Sequence, residues 1–239
     1  MEQRPEHTVR SYSEELRRLR EMIARMGGLA ERQVADATNA LVRRDADLAT
    51  EVVGRDAEID ALEQDIESFC IRLLALRQPV GQDLRLVIAA LKISHGIERI
   101  GDYARNAAKR AIVVAQQPAL GSLNGFLRMA LLVQQNLKGA IDALVHHDAA
   151  RADEVWAADQ PVDEVYNGIF REMLTFMMED PRNITAATHL LFIAKNLERI
   201  GDHATNIAET VHYAVRGENL AGERPKADVS ASAVVRPQS

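Results

Sequence analysis

An all-α fold, built from two tandem copies of one three-helix unit, is what three features of this sequence predict. Hydrophobic residues make up 47% of the chain but aromatics only 4%. Ala and Leu lead the apolar residues, and the β-branched and aromatic runs that build sheets are scarce. The 13 Gly and 7 Pro in 239 residues leave few breaks. Finally, the segment IERIGDYARNAA at 97–108 returns 100 residues later as LERIGDHATNIA at 197–208, identical at eight of twelve positions. Upstream the offset becomes 103, pairing Asp45 with Asp148, Asp56 with Asp159, Asp60 with Asp163 and Ile66 with Ile169. The register changes where QPVGQDLR (78–85) is replaced by the shorter EDPRN (179–183). A length difference confined to a turn is what a duplicated helical unit shows.

Taken in order, the first unit predicts helices over 13–43, 45–77 and 81–116, and the second over 123–146, 148–179 and 182–216. Ile59, Leu62, Ile66, Phe69 and Leu73 give the second helix its 3- and 4-residue apolar spacing. In the third, Leu86, Ala90, Ile93, Ile97, Ile100, Ala104, Ala107 and Ala111 form the same stripe, and Leu190, Ile193, Leu197, Ile200, Ala204, Ile207 and Val211 repeat it in the sixth. These are core positions. Pro79 and Pro181 fall at equivalent turns, where proline ends one helix or begins the next. The units therefore span 9–117 and 122–217, with a linker holding Pro118 and Gly121, and 218–239 reads as a polar, unstructured tail. A 30-residue helix runs about 45 Å, so each unit is expected to be an elongated bundle.

The formal net charge of −6 argues against nucleic acid as partner. No apolar run approaches the ~20 residues that cross a bilayer, and the charged N-terminus lacks an export signal. Cys70, the one cysteine, reads as a buried, inert thiol, in keeping with a cytoplasmic protein.

The residues that attract attention are paired carboxylates. Asp56 and Asp60, Glu98 and Asp102, Asp159 and Asp163, and Glu198 and Asp202 are each four apart, which puts each pair on one helix face. Asn106 and Asn206 extend two of the ladders by a turn. With neighbouring helices side by side, four carboxylates per unit would converge into an oxygen-rich site for magnesium, manganese or iron. Counted from the Ile93–Ile97–Ile100 stripe, Glu98 and Asp102 belong to a lateral or outer face. A solvated acidic face is the competing reading, and it costs only ~0.2–0.5 kcal/mol per like-charged pair. Both pairs are present in each unit, although Glu63 and Glu67 correspond to Tyr166 and Phe170. Arg99 and Arg199 read as partners of nearby acids. Glu209 and His212 have the Glu-x-x-His spacing of ferritin-like di-iron helices, but that fold needs two such motifs, and unit one has Lys109 and Ile112 there. No phosphate-binding glycine loop, nucleophile elbow or zinc-spaced Cys/His set is present.

The two ERIGD segments, with QPVGQDLR, MGGLAE (26–31) and LTFMMED (174–180), resemble the PhoU family of phosphate-transport accessory proteins over nearly the whole chain. The resemblance implies paired three-helix bundles, often dimeric, in the bacterial cytoplasm. It implies a non-enzymatic negative regulator of phosphate uptake and of the phosphate-starvation response. Such a regulator links the ATPase subunit of the phosphate ABC transporter to a phosphate-sensing histidine kinase, and meets the membrane only through these partners. Some members hold iron or zinc clusters on Glu/Asp-x-x-x-Asp motifs, which fall here on the four carboxylate pairs. A ferritin-like metal store or oxidase is the alternative.

Overall fold

The computed structural model describes residues 5–220, with side chains from residue 11 onward; most of the expected polar tail lies outside that range. Among the described residues there are seven α-helices and no strands: α1 (Pro5–Arg43), α2 (Ala46–Arg77), α3 (Gly81–Ala115), α4 (Asn124–His146), α5 (Ala149–Ala157), α6 (Gln160–Glu179) and α7 (Ile184–Arg216), with a 3₁₀ turn at Pro181–Asn183. The first helix starts earlier than the sequence predicts, at Pro5, a residue suited to a first helical position.

The turn between the first two helices of each unit is built twice in the same way. Arg44 and His147 adopt left-handed conformations (φ 56° and 54°). The next residue's N–H then reaches back to the departing helix, Asp45 to the Ala40 carbonyl and Asp148 to the Ala143 carbonyl, each at 2.9 Å. The Asp45 and Asp148 carboxylates cap the following helices by accepting from the Leu48 and Arg151 N–H groups. These two aligned aspartates are therefore helix caps.

The predicted fifth helix is broken in two at Ala158 and Asp159. Pro161 explains the break: it has no N–H to donate to Ala157, and its ring crowds that carbonyl. Unit one carries Glu58 at the matching position, and α2 runs through without interruption.

α3 and α7 form the most extensive helix pair, and α1 packs on α4 as well as on α2 and α3. Arg110, late in α3, stacks over Phe192, early in α7, at 4.1 Å. Arg85, early in α3, reaches the Ala214 carbonyl late in α7. The two helices are thus antiparallel. They cross near Gly96, where an added Cβ would lie 3.2 Å from Ile207, and near Tyr103 and His203, whose rings are 5.6 Å apart. The expected stripe residues Ile93, Ile97 and Ile100 and their counterparts Ile193, Leu197 and Ile200 are all buried in one continuous apolar core.

Candidate functional site: the paired carboxylates

Glu98 and Asp102, expected on a lateral or outer face, are half-buried, while four of the other ladder carboxylates are buried outright. Asp56, Asp159, Asp163 and Glu198 are 3%, 2%, 4% and 6% exposed, while Asp60, Glu98, Asp102 and Asp202 are half-buried. The reason is that α3 packs against α1, α2 and α7, and α7 against α3, α4, α5 and α6. Each of these helices has more than one covered face, so distance from one apolar stripe does not mean exposure. Asn106 is half-buried; Asn206 is exposed and lines a cleft between α3 and α7 with Arg85, Lys92 and Glu209.

Close approach of the helices explains the glycine of each ERIGD segment. A Cβ at Gly101 would come within 3.0 Å of Ile59 Cδ1 and 3.4 Å of Asp56 Oδ1, and one at Gly201 within 3.3 Å of Val162. The bare backbone lets α2 rest on α3 and α6 on α7, and so brings the aspartates of one helix to the Glu–Asp pair of the next.

In unit one the centre of this arrangement is Arg105. One guanidinium nitrogen contacts Asp56 Oδ2, and the other donates to Asp102 Oδ1 at 2.6 Å. Gln33, itself buried on α1, donates to Asp56 Oδ1 at 3.1 Å and to the Gly101 carbonyl at 3.3 Å. Both oxygens of Asp56 are thereby engaged. Arg99 stands 3.7 Å from Glu98 and from Asp102, as its expected role with nearby acids requires. Burial raises the Glu98 pKa above the usual carboxylate value, with Asp102 adding to the effect and Arg99 opposing it. Asp60 is raised too, first by burial and then by Asp56, against the pull of Arg105.

Unit two is built differently. Thr205 occupies the position of Arg105, and its hydroxyl lies within 3.4 Å of Asp159 Oδ1 while donating to the Gly201 carbonyl at 3.0 Å. Lys195 pairs with Glu198 at 2.9 Å and sits 5.1 Å over the Tyr166 ring. Where unit two has Lys195 and Tyr166, unit one has His95 and Glu63, 3.1 Å apart.

Gln33, Arg105, Lys195 and Thr205 are the site residues that reading single motifs misses. The Arg105/Thr205 difference was visible in the repeat alignment, but the partner of Arg105 is 49 residues away on another helix. Elsewhere His212 is engaged with Asp153 at 2.5 Å, while Glu209 faces solvent, so the lone Glu-x-x-His does not form one site. Cys70 is fully buried, and desolvation pushes its thiol up to about 12, in line with the inert thiol expected.

The metal ion that the resemblance implies can be tested against these donor sets. Unit one does not fit: the space between Asp56 and Asp102 holds a guanidinium. Unit two fits in chemistry, because its oxygens are carboxylates and a hydroxyl, the donors of hard cations. As the side chains stand, no three His, Cys, Asp or Glu among the described residues are grouped to hold one ion.

Comparison with known proteins agrees with the doubled architecture. The family model described as PhoU domain matches twice, over residues 23–111 and 126–211. The chain belongs to the PhoU family. A Caulobacter vibrioides protein named phosphate-specific transport system accessory protein PhoU homolog is 54% identical over 225 residues, covering 94% of this chain and 98% of that one. A Rhizobium meliloti protein of the same name is 44% identical, covering 95% and 96%. The crystal structure of PhoU from Pseudomonas aeruginosa superposes with a TM-score of 0.82 at 41% identity, covering 87% of this chain and all of that one. That of the phosphate transport system regulatory protein PhoU from Streptococcus pneumoniae gives 0.81 at 29%, covering 87% and 99%. Among the described residues no helix is long and apolar enough to cross a membrane.

Proposed function

We propose that this chain is an accessory regulator of a phosphate transport system. It restrains uptake and represses the phosphate-starvation response when phosphate is abundant. The observation that carries this reading is the match of the PhoU domain to both repeats, together with near full-length similarity to proteins named as accessory to phosphate-specific transport. In this reading it works by binding and not by catalysis, as a cytoplasmic adaptor, homodimeric, between the transporter's ATPase subunit and a phosphate-sensing histidine kinase. The test is a deletion strain carrying a starvation-responsive reporter. The reporter is expected to stay active in phosphate-rich medium and to be silenced by the restored gene. Normal repression in the deletion strain overturns the reading.

As part of the same reading, the unit-two carboxylates Asp159, Asp163, Glu198 and Asp202 take a cation such as manganese, magnesium, iron or zinc. Binding there draws the carboxylates together, and Lys195 must release Glu198. The cation supplies positive charge that holds α6 against α7, a structural service. Calorimetric titration of metal-free protein checks this: no heat of binding at millimolar ion removes metal from the function.

A further inference from the structure

The repeat invites the expectation of two equivalent cation sites, and the structure distinguishes them most directly at the position between their aspartates. Thr205 in unit two is Arg105 in unit one. Arg105 makes contacts to both helices of its site, to Asp56 on α2 and to Asp102 on α3, and its charge opposes the rise that burial imposes on the Asp60 pKa. A metal ion bridging those helices would need the same Asp56 and Asp102 oxygens. Guanidinium is a planar, permanently charged fork that suits two carboxylates at once, and unlike an ion it is tethered to the chain and never diffuses away. Gln33 completes the closure by covering the second Asp56 oxygen and the Gly101 carbonyl.

We infer that Arg105 is the resident counter-ion of the first unit, that it excludes metal there, and that it makes the association of α2 with α3 independent of cation supply. The two halves of this chain are then unequal toward cations, with Arg105 the residue that closes the first. Any response to cation concentration is confined to α6 and α7, with unit one as a constant frame. The significance of this inequality rests on the cation reading of unit two, but the assignment of Arg105 is tested separately.

The experiment uses full-length, metal-free protein and manganese chloride as the sole probe, with free Mn²⁺ followed by electron paramagnetic resonance and stability by thermal melting. In a Glu198→Gln, Asp202→Asn background, unit two is silenced, and with Arg105 intact no binding and no Mn²⁺-dependent melting shift are expected. Adding Arg105→Thr, the residue unit two carries, is expected to create binding in unit one. Melting should then rise by about 3–5 °C once Mn²⁺ is tenfold above its Kd. Arg105→Gln, which removes the charge but leaves an amide to donate to Asp56, gives a second variant should the threonine form melt too low. Recovery of a melting transition by either variant only with Mn²⁺ supports the assignment. Mn²⁺ binding by the silenced background that disappears with Asp56→Asn overturns it, since unit one is then open despite Arg105. Failure of both variants to bind Mn²⁺ or to fold with it also overturns it, since a cation then cannot stand in for the guanidinium. If the unaltered protein binds no Mn²⁺ while the Arg105→Thr form does, the cation reading of unit two fails and the role of Arg105 stands.

Discussion

Asp56 is a charge at a core position, 3% exposed, and its stability depends on what neutralises it. Removing one partner of a buried pair costs ~3–5 kcal/mol, mostly through the charge left behind. Arg105→Ala is therefore expected to lower stability in that range, measured by urea unfolding of metal-free protein. Asp56→Asn in the same chain should recover most of the loss, because the amide has no charge to compensate. A double-mutant cycle without coupling contradicts the contact. Glu98 behaves in the opposite way. Its pKa is raised in the fold by burial and by Asp102, so between the unfolded value and the higher folded value the native state holds the extra proton. Stability thus falls as pH rises through that window, and above it the charged form is a standing cost. Glu98→Gln is expected to stabilise the metal-free protein at neutral pH by ~0.2–0.5 kcal/mol, the size of a like-charge i,i+4 repulsion. The gain should vanish below about pH 4, where the carboxyl is protonated in both states. A stability gain unchanged from pH 7 to pH 3 contradicts the titration. The identity of these carboxylates was legible in the sequence; their burial and the convergence of Asp56 and Asp102 on Arg105 were not, because both depend on helices far away along the chain.

At the level of elements, helix positions followed from periodicity, proline and glycine, and from the register shift at the second turn of each unit. The break at Ala158 was written in Pro161, which a count of apolar spacing passes over. The glycines of the helices show how position decides energetics. Gly54, on the exposed side of α2, has nothing within 4 Å of an added Cβ. Gly54→Ala is expected to raise stability by ~0.5–1 kcal/mol, from helix propensity alone. At Gly101 the same methyl meets Ile59, which is fully packed, at 3.0 Å, and Asp56 at 3.4 Å. Forcing α2 and α3 apart costs ~1–3 kcal/mol, more than the propensity gained, so Gly101→Ala should lower the melting temperature. Thermal melts of the two variants side by side decide the matter, and a stabilised Gly101→Ala would mean that the two helices are not held at this distance. Arg44 serves another element. From its left-handed turn it donates to the Val114 and Ala115 carbonyls at 3.0 and 3.1 Å and contacts that of Gln117, satisfying the C-terminus of α3 where the linker begins.

For the whole molecule, the sequence repeat predicts two bundles, and the packing unites them. α3 lies along α7 and α1 along α4, and the buried residues of both units belong to one contiguous cluster. A core shared across the repeat boundary makes each half a large part of the other's environment, so partial unfolding would expose the α3–α7 face of the half that remained. Thermal unfolding is therefore expected to be a single transition, with the calorimetric and van't Hoff enthalpies equal. Ile97→Ala and Leu197→Ala provide the test, one in each unit, at residues 0% and 2% exposed. Each should cost ~2–5 kcal/mol, and each should move the entire transition to lower temperature, not split it. Two resolved transitions, with Ile97→Ala shifting only one and Leu197→Ala only the other, would show that the units are energetically separate.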